Sequence, residues 1–176
     1  MSKKRLSQTK KNIVFLGHMG SGKSTIGRGL SKKLGLDFYD TDKEIEKEMG
    51  QKIAKIFDES GESIFRNIER KITLKLLDKK NSIIALGGGG FEDLKIRKLI
   101  LNKCNSIWLK CDLNILEKRC RVSKKRPLLS NKNIKAEFER LNKIRQKNYS
   151  KAKFTIDVSK KNKNQIIKEI TEALKI

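Results

Sequence analysis

The chain has 176 residues, the size of one domain, with 36% hydrophobic and 36% charged residues. Lys and Arg number 43 against 20 Asp and Glu, a formal net charge of +23. One proline, three cysteines without a Cys-x-x-Cys pair, and no apolar run long enough to span a bilayer exclude collagen-like, disulfide-framework and membrane-spanning classes.

Residues 1–11 read as a basic tail lacking the apolar stretch of a signal peptide. Residues 12–176 read as a single domain of short apolar runs alternating with amphipathic stretches, the mark of β-α-β units and a parallel sheet. Asn12 to Leu16 is the first predicted strand, followed by a glycine-rich loop and a helix to Leu34, ended by Gly35. Asp37 to Tyr39 is a short second strand. Thr41 to Met49 is a helix with Asp40 or Thr41 at its cap. Apolar spacing predicts helices over Ile53–Phe57 and Glu62–Lys79, then a third strand over Ser82–Leu86 ending in four glycines. A helix over Leu94–Asn102, a strand over Ser106–Lys110 and a helix over Leu113–Cys120 come next. Residues 121–133 are polar and aperiodic, as in a mobile lid. The chain closes with a helix over Lys135–Tyr149, a fifth strand over Phe154–Val158 and a helix over Asn164–Lys175.

The positive charge invites a polyanion partner, but the basic residues are spread over the whole length and no zinc-finger or RNP motif accompanies them. The excess of Lys with Ile and Asn reads as compositional bias and a solvated surface. Cys104, Cys111 and Cys120 read as reduced structural thiols of a cytoplasmic protein.

Gly17-His18-Met19-Gly20-Ser21-Gly22-Lys23-Ser24 matches GxxxxGK[ST] between a strand and a helix. Glycines let successive backbone N–H groups turn toward phosphate oxygens, and the helix adds its positive end. Lys23 can reach the β- and γ-phosphates and Ser24 can ligate Mg²⁺. His18 fills a variable position and reads as a loop residue with no catalytic role. A GTPase would need Asn-Lys-x-Asp, which neither Asn102-Lys103 nor Asn131-Lys132 supplies. The third strand ends without an acid, so the metal must find its carboxylate elsewhere, as in small-molecule kinases. Asp40-Thr41-Asp42 lies at the carboxyl end of the second strand, expected beside the first. One acid there could hold Mg²⁺ through water and the other receive a hydroxyl. Arg66 and Glu69 fall at i, i+3 on one helix face, and the glycines at 87–90 permit close backbone approach.

Taken in order, Gly17–Ser24, Asp40-Thr41-Asp42, Phe65-Arg66-Asn67-Ile68-Glu69, Gly87-Gly88-Gly89 and Arg126-Pro127-Leu128 resemble the motifs of shikimate kinases over residues 12–158. The resemblance implies a P-loop NTPase fold of the nucleoside monophosphate kinase type. Such a fold is a three-layer α/β/α sandwich on a five-stranded parallel sheet, with a lid. It implies transfer of the ATP γ-phosphoryl group to the 3-hydroxyl of shikimate, with ATP and Mg²⁺ as cofactors, in the pathway to aromatic amino acids. By matching position, Gly20, Ser21, Gly22, Lys23, Ser24, Thr25 and Arg119 would bind ATP, with Arg119 against the adenine. Ser24 and Asp40 would hold the metal. Asp42 would orient or deprotonate the attacking hydroxyl. Arg66, positioned by Glu69, would bind the carboxylate, and Gly88 and Gly89 would meet the ring hydroxyls. Arg126 would close over the phosphates and stabilise the transition state. Arg145 matches a second carboxylate-binding arginine, although the family's Arg-x-Pro-x-Tyr reads Arg145-Gln146-Lys147-Asn148-Tyr149 here, without the proline. The implied protein is a monomer with no membrane or specific nucleic-acid partner. Competing readings are a gluconate or nucleoside monophosphate kinase, a basic nucleic-acid-binding P-loop protein, or a degenerate binding module.

Overall fold

The computed structural model describes residues 11–122 and 134–176. Among these residues thirteen elements follow one another. They are β1 (Ile13–Leu16), α1 (Lys23–Leu34), β2 (Asp37–Asp40), α2 (Thr41–Met49), α3 (Ile53–Leu77), β3 (Ser82–Ala85), a 3-10 turn (Gly90–Glu92), α4 (Leu94–Lys103), β4 (Asn105–Lys110), α5 (Leu113–Val122), α6 (Ile134–Tyr149), β5 (Phe154–Asp157) and α7 (Lys163–Leu174).

The five strands form one parallel sheet in the order β2-β3-β1-β4-β5. β1 is central and wholly buried, as a parallel strand covered on both faces must be. Its residues alternate between two cores. Val14 and Leu16 join Ile84, Ile72, Ile100 and Tyr149 under α2, α3, α4 and α6. Ile13 and Phe15 join Ile83, Ile107, Ile26 and Ile170 under α1 and α7. The period of two along β1 thereby builds both halves of a three-layer sandwich. A third, smaller cluster of Leu116, Cys120 and Phe138 packs α5 on α6. Asn12 locks the start of β1 from the side: its amide donates to Leu77 O and Lys79 O, and its Oδ1 accepts from Ser82 N.

The predicted order of elements holds. β2 is an edge strand paired with β3, and β3 separates it from β1. The expectation that the Asp-x-Asp strand lies beside the first strand is therefore corrected. α5 continues through Val122, so the segment predicted as a lid begins with helix; residues 123–133, Arg126 among them, lie outside the described residues, as do residues 1–10. Among the described residues no helix is long and apolar enough to cross a membrane.

The two helices predicted at 53–57 and 62–79 meet at Gly61, whose φ of 77° and ψ of 172° break the helical path inside α3. That region of backbone space is open almost only to glycine. Apart from its chain neighbours and the helix's own backbone, no atom of the described residues stands within 4 Å of where a Cβ would sit, so Gly61→Ala tests conformation alone. The variant is expected to lose about 1–3 kcal/mol in urea unfolding; wild-type stability would mean that the break relaxes into continuous helix.

Candidate active site

The carboxyl ends of β1, β2 and β3 open on one side of the sheet, where the loops that follow them meet. β1 runs into the loop of residues 17–22, in which Gly17, Gly20 and Gly22 take φ of 140°, 82° and 97°. A Cβ at Gly17 would lie 2.8 Å from Leu109 O, so glycine is required there on two counts. The loop folds on itself through Ser21 N donating to His18 O. Gly22 caps α1 without a side chain, leaving the helix's first N–H groups for an anion. Lys23 lies over the loop and donates to Gly17 O at 2.7 Å and His18 O at 3.0 Å. Thr25 is exposed in the first turn of α1. From α5, Arg119 is exposed and donates to Gly20 O at 3.2 Å, which puts its guanidinium at the rim of the loop.

Asp40 ends β2 and caps α2, accepting from Lys43 N. Its other oxygen accepts from Ser24 Oγ at 2.5 Å. Although β3 intervenes between β2 and β1, the two elements named for metal binding touch directly. Ser24, Asp40 and the glycine loop fit a Mg²⁺ held by few protein ligands and shared with phosphates, which is how this ion is usually bound beside a nucleotide.

Thr41, fully buried, sits between the acids; its hydroxyl accepts from Gly87 N at 2.7 Å and fastens the start of α2 to the end of β3. Asp42, in the first turn of α2, is exposed to solvent as a residue, yet protein crowds its carboxyl against Gly87. Loss of hydration pushes its pKa up to about 6; Asp40, Glu69 and Glu46 push the same way and Lys23 opposes them. A carboxylate that titrates near neutrality in a cleft is a sign of a working acid or base.

Asp42, Glu69, Arg66 and Arg145 converge on the glycine run. A Cβ at Gly87 would lie 2.6 Å from Asp42 Oδ1 and 2.9 Å from Glu69 Oε1. One at Gly88 would lie 3.0 Å from Arg145 Nη1, and one at Gly89 2.5 Å from Arg66 Nη1. Three consecutive glycines thus leave room for two acids and two arginines against one stretch of backbone. Glu69 is buried and accepts from Arg66 Nη1 at 2.7 Å, while Arg66 also donates to Glu62. Burial disfavours the Arg66 charge, but Glu69 and then Glu62 hold its pKa above the ordinary value. The guanidinium is locked in place on its inner side with part of its surface still free to solvent.

Arg145 reaches the glycine run from α6, which continues as regular helix through Lys147, where the related motif has proline. Asn148 donates to Glu92 Oε2 at 2.7 Å and so clamps the end of α6 to the 3-10 turn. Tyr149, 1% exposed, donates to Gly88 O, and its burial pushes the phenol up to about 12. The hydrogen bonds by which Thr41, Asn148 and Tyr149 tie these elements together were not visible in the sequence. The one signal these residues carried was adjacency to motif residues, with nothing in their own type to mark them.

A family model described as shikimate kinase matches residues 19–175. The chain is similar to shikimate kinase of Persephonella marina, 43% identical over 163 residues that cover 91% of this chain and 96% of that one. It is also similar to shikimate kinase of Bartonella quintana, 39% identical over 96% of this chain and 80% of that one. Among solved structures, shikimate kinase from Acinetobacter baumannii in complex with shikimate is similar at a TM-score of 0.90. It is 32% identical, with 95% of this chain and 94% of that chain covered. A gluconokinase from Sinorhizobium meliloti, at 16% identity and a TM-score of 0.58, shares the fold alone.

Proposed function

We propose residue roles for a chain that belongs to the shikimate kinase family and transfers the γ-phosphoryl group of ATP to the 3-hydroxyl of shikimate, giving ADP and shikimate 3-phosphate. The observation that carries the reading is the convergence of Asp42, Glu69, Arg66 and Arg145 on the backbone of Gly87–Gly89.

Phosphoryl transfer asks for positioning and charge more than for covalent help. The N–H groups of Gly20, Ser21, Gly22, Lys23, Ser24 and Thr25 surround the phosphates, and Lys23 follows the charge that moves onto the leaving oxygen. Ser24 and Asp40 would hold Mg²⁺, which would supply positive charge to neutralise the phosphates. Arg66 and Arg145 meet the shikimate carboxylate from two sides of the glycine run, with Glu69 fixing the Arg66 fork. Backbone at Gly88 and Gly89 meets the ring hydroxyls. Asp42 accepts the proton of the attacking hydroxyl or orients that hydroxyl. Arg119 packs against the adenine, and Arg126, outside the described residues, closes over the phosphates. The proposed protein is a cytoplasmic monomer. Its exposed large apolar side chains among the described residues, Met49, Ile64, Leu94 and Ile144, sit on four different helices and support that state.

Arg66→Ala tests the carboxylate role in an ADP-release assay with Mg-ATP. Its KM for shikimate should rise by roughly tenfold to a hundredfold, the worth of a charged hydrogen-bonded contact, with KM for ATP within about twofold. Arg66→Lys keeps charge but not the fork and should fall between. A rise confined to the KM for ATP would remove Arg66 from the acceptor site.

A further inference from the structure

His18 sits inside the phosphate loop and is 4% exposed. One hydrogen bond and two ring contacts tie its ring to α6. Its Nε2 is 3.2 Å from Asn142 Oδ1. Its edges meet Phe138 at 6.2 Å and 84°, and Tyr149 at 5.4 Å and 78°, both T-shaped contacts. Asn142 Nδ2 donates to Gln146 Oε1, which leaves Asn142 Oδ1 as the acceptor and makes Nε2 the donor.

Phe138, Asn142, Arg145 and Tyr149 stand at i, i+4, i+7 and i+11, one stripe of the helix. Three of the four touch His18. The fourth, Arg145, lies against Gly88, and Tyr149 donates to the same glycine's carbonyl. Burial, followed by the charges of Arg145 and Lys23, lowers the imidazole pKa to about 4 against the pull of Asn142. The ring is neutral at working pH and adds a polar tie without adding a third cation between Lys23 and Arg145.

We propose that His18 is a positioning residue for the acceptor: from within the ATP loop it holds α6, through Asn142 and Tyr149, at the depth that sets Arg145 against Gly88. The proposal rests on the reading of Arg145 as a carboxylate ligand. It makes an unusual demand, because a side chain of the phosphate loop should act on shikimate and leave ATP alone.

His18→Phe keeps the ring and its edge contacts and removes the hydrogen bond; Asn142→Ala removes the same bond from the other side. Each should raise KM for shikimate by about threefold to tenfold, the worth of one buried hydrogen bond, with KM for ATP within about twofold. The double variant should match the larger single effect, since both changes break one link. Thermal melts establish that each variant is folded. Unchanged KM for shikimate in both single variants, or equal rises for both substrates, would overturn the proposal. Arg145→Ala separates the two levels. If it leaves KM for shikimate unchanged, the carboxylate reading itself fails; if it raises that KM while the His18 and Asn142 variants do not, only the tie through His18 fails.

Discussion

Replacing Lys23 with alanine is expected to lower kcat by roughly a thousandfold, the cost of removing one preorganised electrostatic group. The ammonium rests on Gly17 O and His18 O, which in the proposed role is where phosphate charge gathers. It also opposes the raised pKa of Asp42, whose carboxyl is crowded by Asp40 and Glu69. The substitution therefore strips charge from the phosphates and moves Asp42 further toward its protonated form. Both effects fall on the chemical step. KM for shikimate should change little, since Arg66 and Arg145 approach from α3 and α6. Steady-state kinetics with each substrate varied, alongside calorimetric ATP binding, check this. A variant that keeps near-normal kcat would end the phosphate-loop role. Lys23→Arg should fail as well, because a planar fork cannot replace a compact ammonium between two carbonyls and a phosphate.

The loop was legible because its pattern is local. A buried strand, glycines at the turning points and a helix appear within a dozen residues, and each is dictated by neighbours in sequence. The break at Gly61 was legible for the same reason, since the apolar spacing lapses around it. So was the Arg66–Glu69 pair, because i, i+3 on a helix fixes proximity. What the residues did not reveal is set by chain crossings. β2 reaches its place beside β3 only after α3 has returned the chain, so the route from Asp40 to Ser24 runs past an intervening strand. His18 occupies a variable position of the motif, and its burial depends on α6, which lies more than a hundred residues away in the chain. In the sequence, Arg145 stands in a motif without the family's proline. In the structure an unbroken helix, ended by the Asn148–Glu92 clamp and the Tyr149–Gly88 bond, carries Arg145 to the glycines.

Asp42→Asn is the second large effect. Asparagine keeps the shape of the side chain and removes its capacity to accept a proton. kcat should fall by roughly a hundredfold to ten-thousandfold, with KM for ATP changed by no more than a few-fold. The wild-type kcat/KM should decline as pH drops through about 6, where the carboxyl protonates, and the variant should show no such decline. The stability of the protein alone, without nucleotide or metal, should move the opposite way. The folded-state pKa of Asp42 lies above the unfolded value near 3.8, so the ionised carboxylate costs stability at neutral pH. That cost is fully present above the folded pKa and disappears as pH falls from about 6 toward 4. Asp42→Asn should melt at or above the wild-type temperature at pH 8, and the gap should close over that window. Because Asp42 opens to solvent, water screens part of the effect and the sign is the test. A variant that melts lower at pH 8 would mean that ionised Asp42 holds the fold together. The site would then gain stability from the very group that the chemistry needs. A higher melting temperature joined to a lost kcat would instead show that the acids around Gly87 are crowded at the expense of the fold, for the sake of one proton acceptor facing the acceptor hydroxyl.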